Sequence, residues 1–184
     1  MNKLRLLNIK KTVIKHVLVI LTFHASYRLT LRVLIKLILF CRSMTPEELE
    51  LRTRDSIKHV RCADIRKPDA FMDAVCPVDC ITNVCGVHNV AESAADFKNV
   101  IKEHASLLKP GGTLLCVTTT NSSRYEVGGQ QYRYPYLTFE YLFECLHSAG
   151  MNDVAFKWFP GVRTNSINET FDFIFISAKL THPQ

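Results

Sequence analysis

Two kinds of chemically capable side chain stand out in this sequence: seven cysteines in 184 residues, and polar groups placed where apolar runs end. Cys76, Cys80 and Cys85 lie close together, as metal ligands or disulfide partners would. Their spacings do not give the paired Cys-x-x-Cys arrangement of a zinc site, and no His pair completes one. Cys80, Cys85 and Cys116 fall in or beside apolar stretches, where a reduced thiol behaves as a small hydrophobe. They are read as structural thiols. The polar groups are more informative. Asp64 and Ile65 close the run that begins at His59, and Asn83, Val84 and Cys85 close the run that begins at Val78. Thr118, Thr119 and Thr120 follow Thr113–Val117, with Ser122 and Tyr125 just beyond and Tyr132, Tyr134 and Tyr136 after them. The carboxyl ends of parallel strands are where α/β folds bind ligands. Each group also has a plainer role: Asp64 can cap the following turn, Asn83 can simply end a strand, and tyrosines can pack at the surface.

Those positions matter only if the runs are parallel strands, and the chain between them argues that they are. Phe97, Val100, Ile101, His104, Leu107 and Leu108 recur at three- and four-residue intervals and line one face of a helix. Pro110 cannot continue it, and Gly111 or Gly112 can take the left-handed conformation that closes its last turn. Thr113–Val117 is short, apolar and partly β-branched, as a strand covered on both faces would be. Val78–Val84 has the same character. Strand, helix and strand with short connections make a βαβ unit, so the two strands should run parallel.

The strand beginning at Asp79-Cys80-Ile81, the helix and Leu107-Leu108-Lys109-Pro110-Gly111-Gly112 resemble the second half of a class I S-adenosylmethionine-dependent methyltransferase. Val60-Arg61-Cys62-Ala63-Asp64-Ile65, Asn121-Ser122-Ser123-Arg124-Tyr125-Glu126-Val127-Gly128 and Phe173–Lys179 narrow the resemblance to the nicotinamide, phenylethanolamine and indolethylamine N-methyltransferase family. It extends from Met44 to Leu180. The expected fold is an α/β, Rossmann-like methyltransferase sheet in the order 3-2-1-4-5-7-6. The expected reaction is methyl transfer from S-adenosyl-L-methionine to a small amine or pyridine. Such an in-line displacement gains much from positioning, so no catalytic acid or base is assigned. The resemblance implies that Asp64 accepts from the adenine amino group, that Ile65 packs near the ring, and that Asn83, Val84 and Cys85 line the cofactor. It places Thr118, Ser122, Tyr125 and Tyr134 on the acceptor side.

The chain also departs from that family. Thr118 stands where nicotinamide-type members carry an acid, and a threonine cannot pair with a cationic amine as a carboxylate can. No G-x-G turn occurs, and all seven glycines lie at or beyond residue 86. The expectation is therefore a sheet truncated on its N-terminal side, lacking strands 1 and 2, with weak or no cofactor binding. Strand 4, Val78–Val84, would then be an open apolar edge that invites self-association or a partner chain.

Charge divides the chain at the same place. Of 23 Lys and Arg, nine precede residue 47, where there is no Asp or Glu; the remainder carries 14 cations against 17 acids, a net of −3. The basic excess belongs to residues 1–43, and the globular part has no nucleic-acid footprint. That leader is apolar but interrupted by Lys15, Arg28, Arg32 and Lys36, too often for a spanning helix or a secretory signal. It is read as helical or poorly ordered, with contact at a membrane surface as one use and packing of Val13–Phe40, as one or two helices, over Val78–Val84 as another. Thr45-Pro46-Glu47-Glu48 opens a helix and marks the start of a domain over 44–184, expected in the cytoplasm.

Overall fold

A computed structural model describes residues 17–21, 45, 47, 48, 51, 55, 64–67, 77–127, 130–163 and 170–181. Its organising feature is a five-stranded mixed sheet. Strand β1 is Val17–Leu21, β2 Val78–Val84, β3 Leu108–Thr120, β6 Met151–Arg163 and β7 Thr170–Leu180. Their order is β1-β2-β3-β7-β6. β2 and β3 are parallel, with Ile81 beside Leu114 and Val84 beside Val117, as the βαβ reading requires. β7 inserts antiparallel between β3 and β6. The run β2-β3-β7-β6 thus reproduces the 4-5-7-6 half of the expected order, and the fold is Rossmann-like α/β.

Beyond residue 85 the described residues form the short helices α1 Gly86–Val90, α2 Ala94–Ser106 and α3 Phe139–Ser148 beside the sheet. α2 starts at Ser93, whose hydroxyl accepts from the Asp96 amide at 3.1 Å, and α3 starts at Thr138, which accepts from Tyr141 at 3.2 Å. The helical stripe Phe97, Val100, Ile101, His104 is buried, as its periodicity predicts. It meets Leu142, Cys145 and Leu146 of α3 and Ile81, Leu114, Cys116, Ile174 and Ile176 of the sheet in one core. Strands β4 Arg124–Val127 and β5 Gln130–Arg133 form a separate hairpin.

Two expectations are corrected. The apolar edge at β2 is not open, and what pairs with it is not helical. β1, from within the basic leader, lies parallel to β2, with Val17 beside Cys80 and Leu21 beside Val84. A β-branched run such as Val17-Leu18-Val19-Ile20 suits a ladder better than a helix, and the unpaired amides and carbonyls of β2 gain partners that a helix cannot offer. Self-association through an uncovered β2 accordingly loses its basis, and these five residues are not part of a membrane-surface helix. Gly111, second, does not close α2. The helix ends at Ser106, while Gly111, at φ 77, lies inside β3. There the register shifts, so that Val78 faces Leu108 but Cys80 faces Thr113. The glycine serves a bulge, where a positive φ is needed.

Thr45 and Glu48 exchange hydrogen bonds, amide to carboxylate at 2.9 Å and amide to hydroxyl at 3.2 Å, the reciprocal box that starts a helix. Glu47, Glu48, Leu51 and Asp55 are helical. The strand expected from His59 lies outside the described residues up to Ala63, as does the leader apart from β1. No helix among the described residues is long and apolar enough to cross a membrane.

Candidate functional site

The parallel strands β2 and β3 end side by side, which brings Asn83, Val84, Cys85 and Thr118 to one end of the sheet. Asn83 is buried at the end of β2 and turns inward. Its Oδ1 accepts from the amides of Gly86 at 2.9 Å and Val87 at 3.2 Å, which fastens the first turn of α1. Its Nδ2 lies 3.4 Å from Nε2 of buried His104. His104 Nδ1 donates to the Val100 carbonyl at 2.7 Å, so Nε2 is the acceptor for the Asn83 amide. Cys85 follows at φ 53, half-buried, its amide donating to the Val117 carbonyl at 2.8 Å. Val84 packs on Val117 with Phe173 and Phe175 beside it. Burial pushes the Cys85 and Cys116 thiols up to about 12, and the Cys80 and Cys145 thiols up to about 11. All four are free, as inert structural thiols should be.

Asp64 and Ile65 form a turn, closed by the Lys67 amide donating to the Asp64 carbonyl at 2.9 Å. Ile65 is buried in the main core. The Asp64 carboxylate takes Arg66 through both oxygens: the amide and Nε on Oδ1 and a terminal guanidinium nitrogen on Oδ2, each at 3.1 Å. Those hydrogen bonds hold its carboxyl below the usual carboxylate range. The plainer role, capping the turn, is the one seen here.

Thr118, at the end of β3, belongs to a buried network that the sequence did not announce. His88 of α1 lies between two threonines, with Nδ1 2.9 Å from Thr118 Oγ1 and Nε2 3.3 Å from Thr119 Oγ1. The Thr119 hydroxyl donates to the Tyr134 hydroxyl at 3.3 Å, so His88 is satisfied as the tautomer that donates from Nε2 and accepts at Nδ1. Its ring meets Tyr134 edge-on at 4.9 Å. Burial drives the His88 pKa down to about 4, so the imidazole is neutral at physiological pH. Tyr134 stacks on Tyr125 at 5.4 Å, and Tyr125 on Tyr132 at 5.2 Å. Of the three later tyrosines, Tyr134 is buried and Tyr132 partly so; Tyr136 stands exposed, its hydroxyl reaching Asn121 Oδ1 at 3.4 Å. Ser122 is buried against Arg124, accepting from that residue's amide at 3.4 Å and donating to its carbonyl at 3.2 Å.

A second group missed from the sequence lies across the sheet. Asp172 of β7 pairs with Thr120 of β3 and is only 8% exposed. Asn121 Nδ2 donates to its Oδ2 at 2.7 Å and the Gly161 amide to its Oδ1 at 2.8 Å. The signal was present in the alternation: Asp172 is in phase with Ile174, Ile176, Ala178 and Leu180, all inward-facing.

Taken together, these groups form an aromatic and hydroxyl-lined wall at the carboxyl end of β3. The fit to an adenosyl cofactor is incomplete. Asn83 has spent its polar atoms inside the protein, and Asp64 would have to share its carboxylate with Arg66.

Comparison with known proteins places the chain. The model of the NNMT/PNMT/TEMT family matches residues 33–181. Mouse (Mus musculus) indolethylamine N-methyltransferase is 26% identical over 105 residues, which are 56% of this chain and 40% of that protein. The chain therefore spans less than half the length of that curated relative. Among solved structures, a S-adenosylmethionine-dependent methyltransferase from Clostridium acetobutylicum overlaps 73% of this chain and 70% of its own at 13% identity and a TM-score of 0.49. One from Methanosarcina mazei overlaps 75% and 80% at 15% identity and a TM-score of 0.46. Overlaps at these scores carry no weight in the assignment. The family match does, because it takes in β2, β3, β6 and β7, the hairpin and all three helices: this chain belongs to the NNMT/PNMT/TEMT family.

Proposed function

We propose that this chain carries the acceptor-side part of an N-methyltransferase that uses S-adenosyl-L-methionine to methylate a small amine or pyridine. Family membership over residues 33–181 is the observation that carries this reading. When bound, the cofactor supplies an electrophilic methyl on a sulfonium. The protein's task is then to hold a nitrogen lone pair in line with it, with water kept out. On this reading Asp64, Ile65, Asn83, Val84 and Cys85 border the nucleoside, and Thr118, Ser122, Tyr125 and Tyr134 border the acceptor. The neutral His88 keeps Thr118 and Thr119 oriented and adds no positive charge that would repel a cationic amine. A cytoplasmic setting belongs to the same reading.

Because the polar atoms near the cofactor ends of β2 are committed internally, the isolated chain should bind cofactor weakly. Calorimetry with S-adenosylhomocysteine and methyl transfer from radiolabelled cofactor to tryptamine and nicotinamide form the test. Micromolar affinity would overturn the expectation of weak binding. Failure of the chain to transfer methyl, even when joined to the part of a relative that it does not match, would overturn the activity.

A further inference from the structure

Strand β6 lies at an edge of the sheet, and among the described residues it pairs with β7 alone. Of the five large apolar side chains exposed among the described residues, three fall within four consecutive positions of this strand. They are Phe156 at 48%, Trp158 at 52% and Phe159 at 37% exposure. They do not share a face. Phe156 and Trp158 stand beside Ile176 and Ile174 of β7, whereas Lys157 and Phe159 stand on the opposite face beside Phe175 and Phe173. The rings are braced from behind. Phe156 meets Phe139 and Phe143 of α3 edge-on at 5.0 and 5.4 Å. Phe159 meets Phe175 at 5.3 Å, and Lys157 Nζ lies 4.8 Å from the centre of the Phe159 ring. A cluster of exposed apolar groups held in place like this marks a contact surface.

The strand itself restricts what can cover it. A partner strand, from a second copy or from another protein, needs an unbroken edge of amides and carbonyls. Pro160 has no amide hydrogen, Gly161 turns at φ 66, and the register slips between Phe159 and Val162. With the exposed charge of Lys157, these are features that keep a strand edge unpaired. A flat protein surface laid against one face would leave the aromatic side chains of the other in water. A fluid layer that surrounds the strand covers all three. Trp, Phe and a neighbouring Lys are also the side chains that settle at a lipid–water boundary. The charge agrees: residues 154–163 contain Lys157 and Arg163 and no acid, and Asp153 just before them faces Lys179 at 3.6 Å. The unpaired backbone edge sets the depth, because its amides and carbonyls need water and cannot enter the hydrocarbon.

We infer that residues 156–159 of β6 insert into the headgroup region of an anionic lipid membrane, with Lys157 at the lipid phosphates. This surface is independent of the proposed function and of any contact made by residues 1–43.

Trp158 is the only tryptophan in the chain, so its emission reports on this surface alone. The full chain is mixed with vesicles of phosphatidylcholine, or of phosphatidylcholine with about one third phosphatidylserine. On the anionic vesicles the emission should shift to the blue. Lipids brominated near the headgroup end of the acyl chain should quench it more than lipids brominated at the far end. Phe156→Ser combined with Phe159→Ser keeps the reporter and should weaken binding about tenfold or more. Lys157→Glu should weaken binding to the anionic vesicles about tenfold. Circular dichroism checks the fold of each variant, and Lys157→Glu decides alone should the double variant not fold. Absence of binding overturns the membrane surface, and so does a folded variant that binds as the wild type does. Binding that leaves Trp158 unshifted and unquenched overturns it in favour of residues 1–43. A blue shift that grows with protein concentration and needs no vesicles overturns it in favour of a second copy.

Discussion

Replacing His88 by Gln gives the sharpest physical test of the strand-end network. His88 is wholly buried, and desolvation lowers its pKa from 6.5 to about 4. Above pH 6.5 the ring is neutral in both folded and unfolded chains, and titration contributes nothing to stability. Between 6.5 and 4 the unfolded chain takes up a proton that the folded one refuses. Stability therefore falls as the pH falls, at about 1.4 kcal/mol per unit, and the loss approaches about 3.4 kcal/mol below pH 4. At pH 5 it amounts to about 2 kcal/mol. His104, buried and likewise lowered, acts in the same direction, and Asp64 adds a loss at still lower pH; both remain in the variant and cancel on subtraction. His88→Gln keeps one donor and one acceptor for Thr118 and Thr119, so it should cost about 1–3 kcal/mol at pH 7. Urea unfolding followed by circular dichroism at pH 7, 6 and 5 would show the gap between wild type and variant narrowing by about 2 kcal/mol. Parallel stability curves across that range would refute the argument, because His88 would then be charged or accessible in the folded state.

Two further predictions concern positions away from the site. Ser93→Ala removes the hydroxyl that accepts from Asp96 and should lower stability by about 1 kcal/mol, read as a lower urea midpoint with unchanged slope. Cys80, Cys85, Cys116 and Cys145 should resist iodoacetamide at pH 8 while the protein is folded and react once it is unfolded, as mapped by mass spectrometry; rapid alkylation of Cys85 in the native protein would contradict its raised pKa.

The parallel βαβ unit was legible because its signals agree. The stripe from Phe97 to His104, the strand-like runs on either side and the proline between them all indicate one arrangement. Thr45 was equally readable, since capping is local. The pairing of β1 with β2 was not. Val17–Leu21 is short, basic residues flank it, and its register depends on a partner 63 positions away, with Val17 beside Cys80 and Leu21 beside Val84. Gly111 was misassigned because a positive φ serves a helix cap and a bulge alike, and only the partner strand distinguishes them. His88 and Asp172 were missed for a different reason. Both are polar residues made acceptable by neighbours that are distant in sequence, the Thr118–Thr119 pair for one and Asn121 with Gly161 for the other.

The interior place of β7 has a bearing on how the molecule assembles during synthesis. β6 emerges before β7, and among the described residues its neighbour in the sheet is β7. Until β7 follows, Phe156, Trp158 and Phe159 belong to a strand with no ladder to join, and two of the five strands then wait to dock on β3. A chaperone that shields apolar segments would find its longest-lived client stretch in residues 151–163, and mutations that slow the closure of β7 onto β3 should lower soluble yield more than they lower the stability of the folded protein.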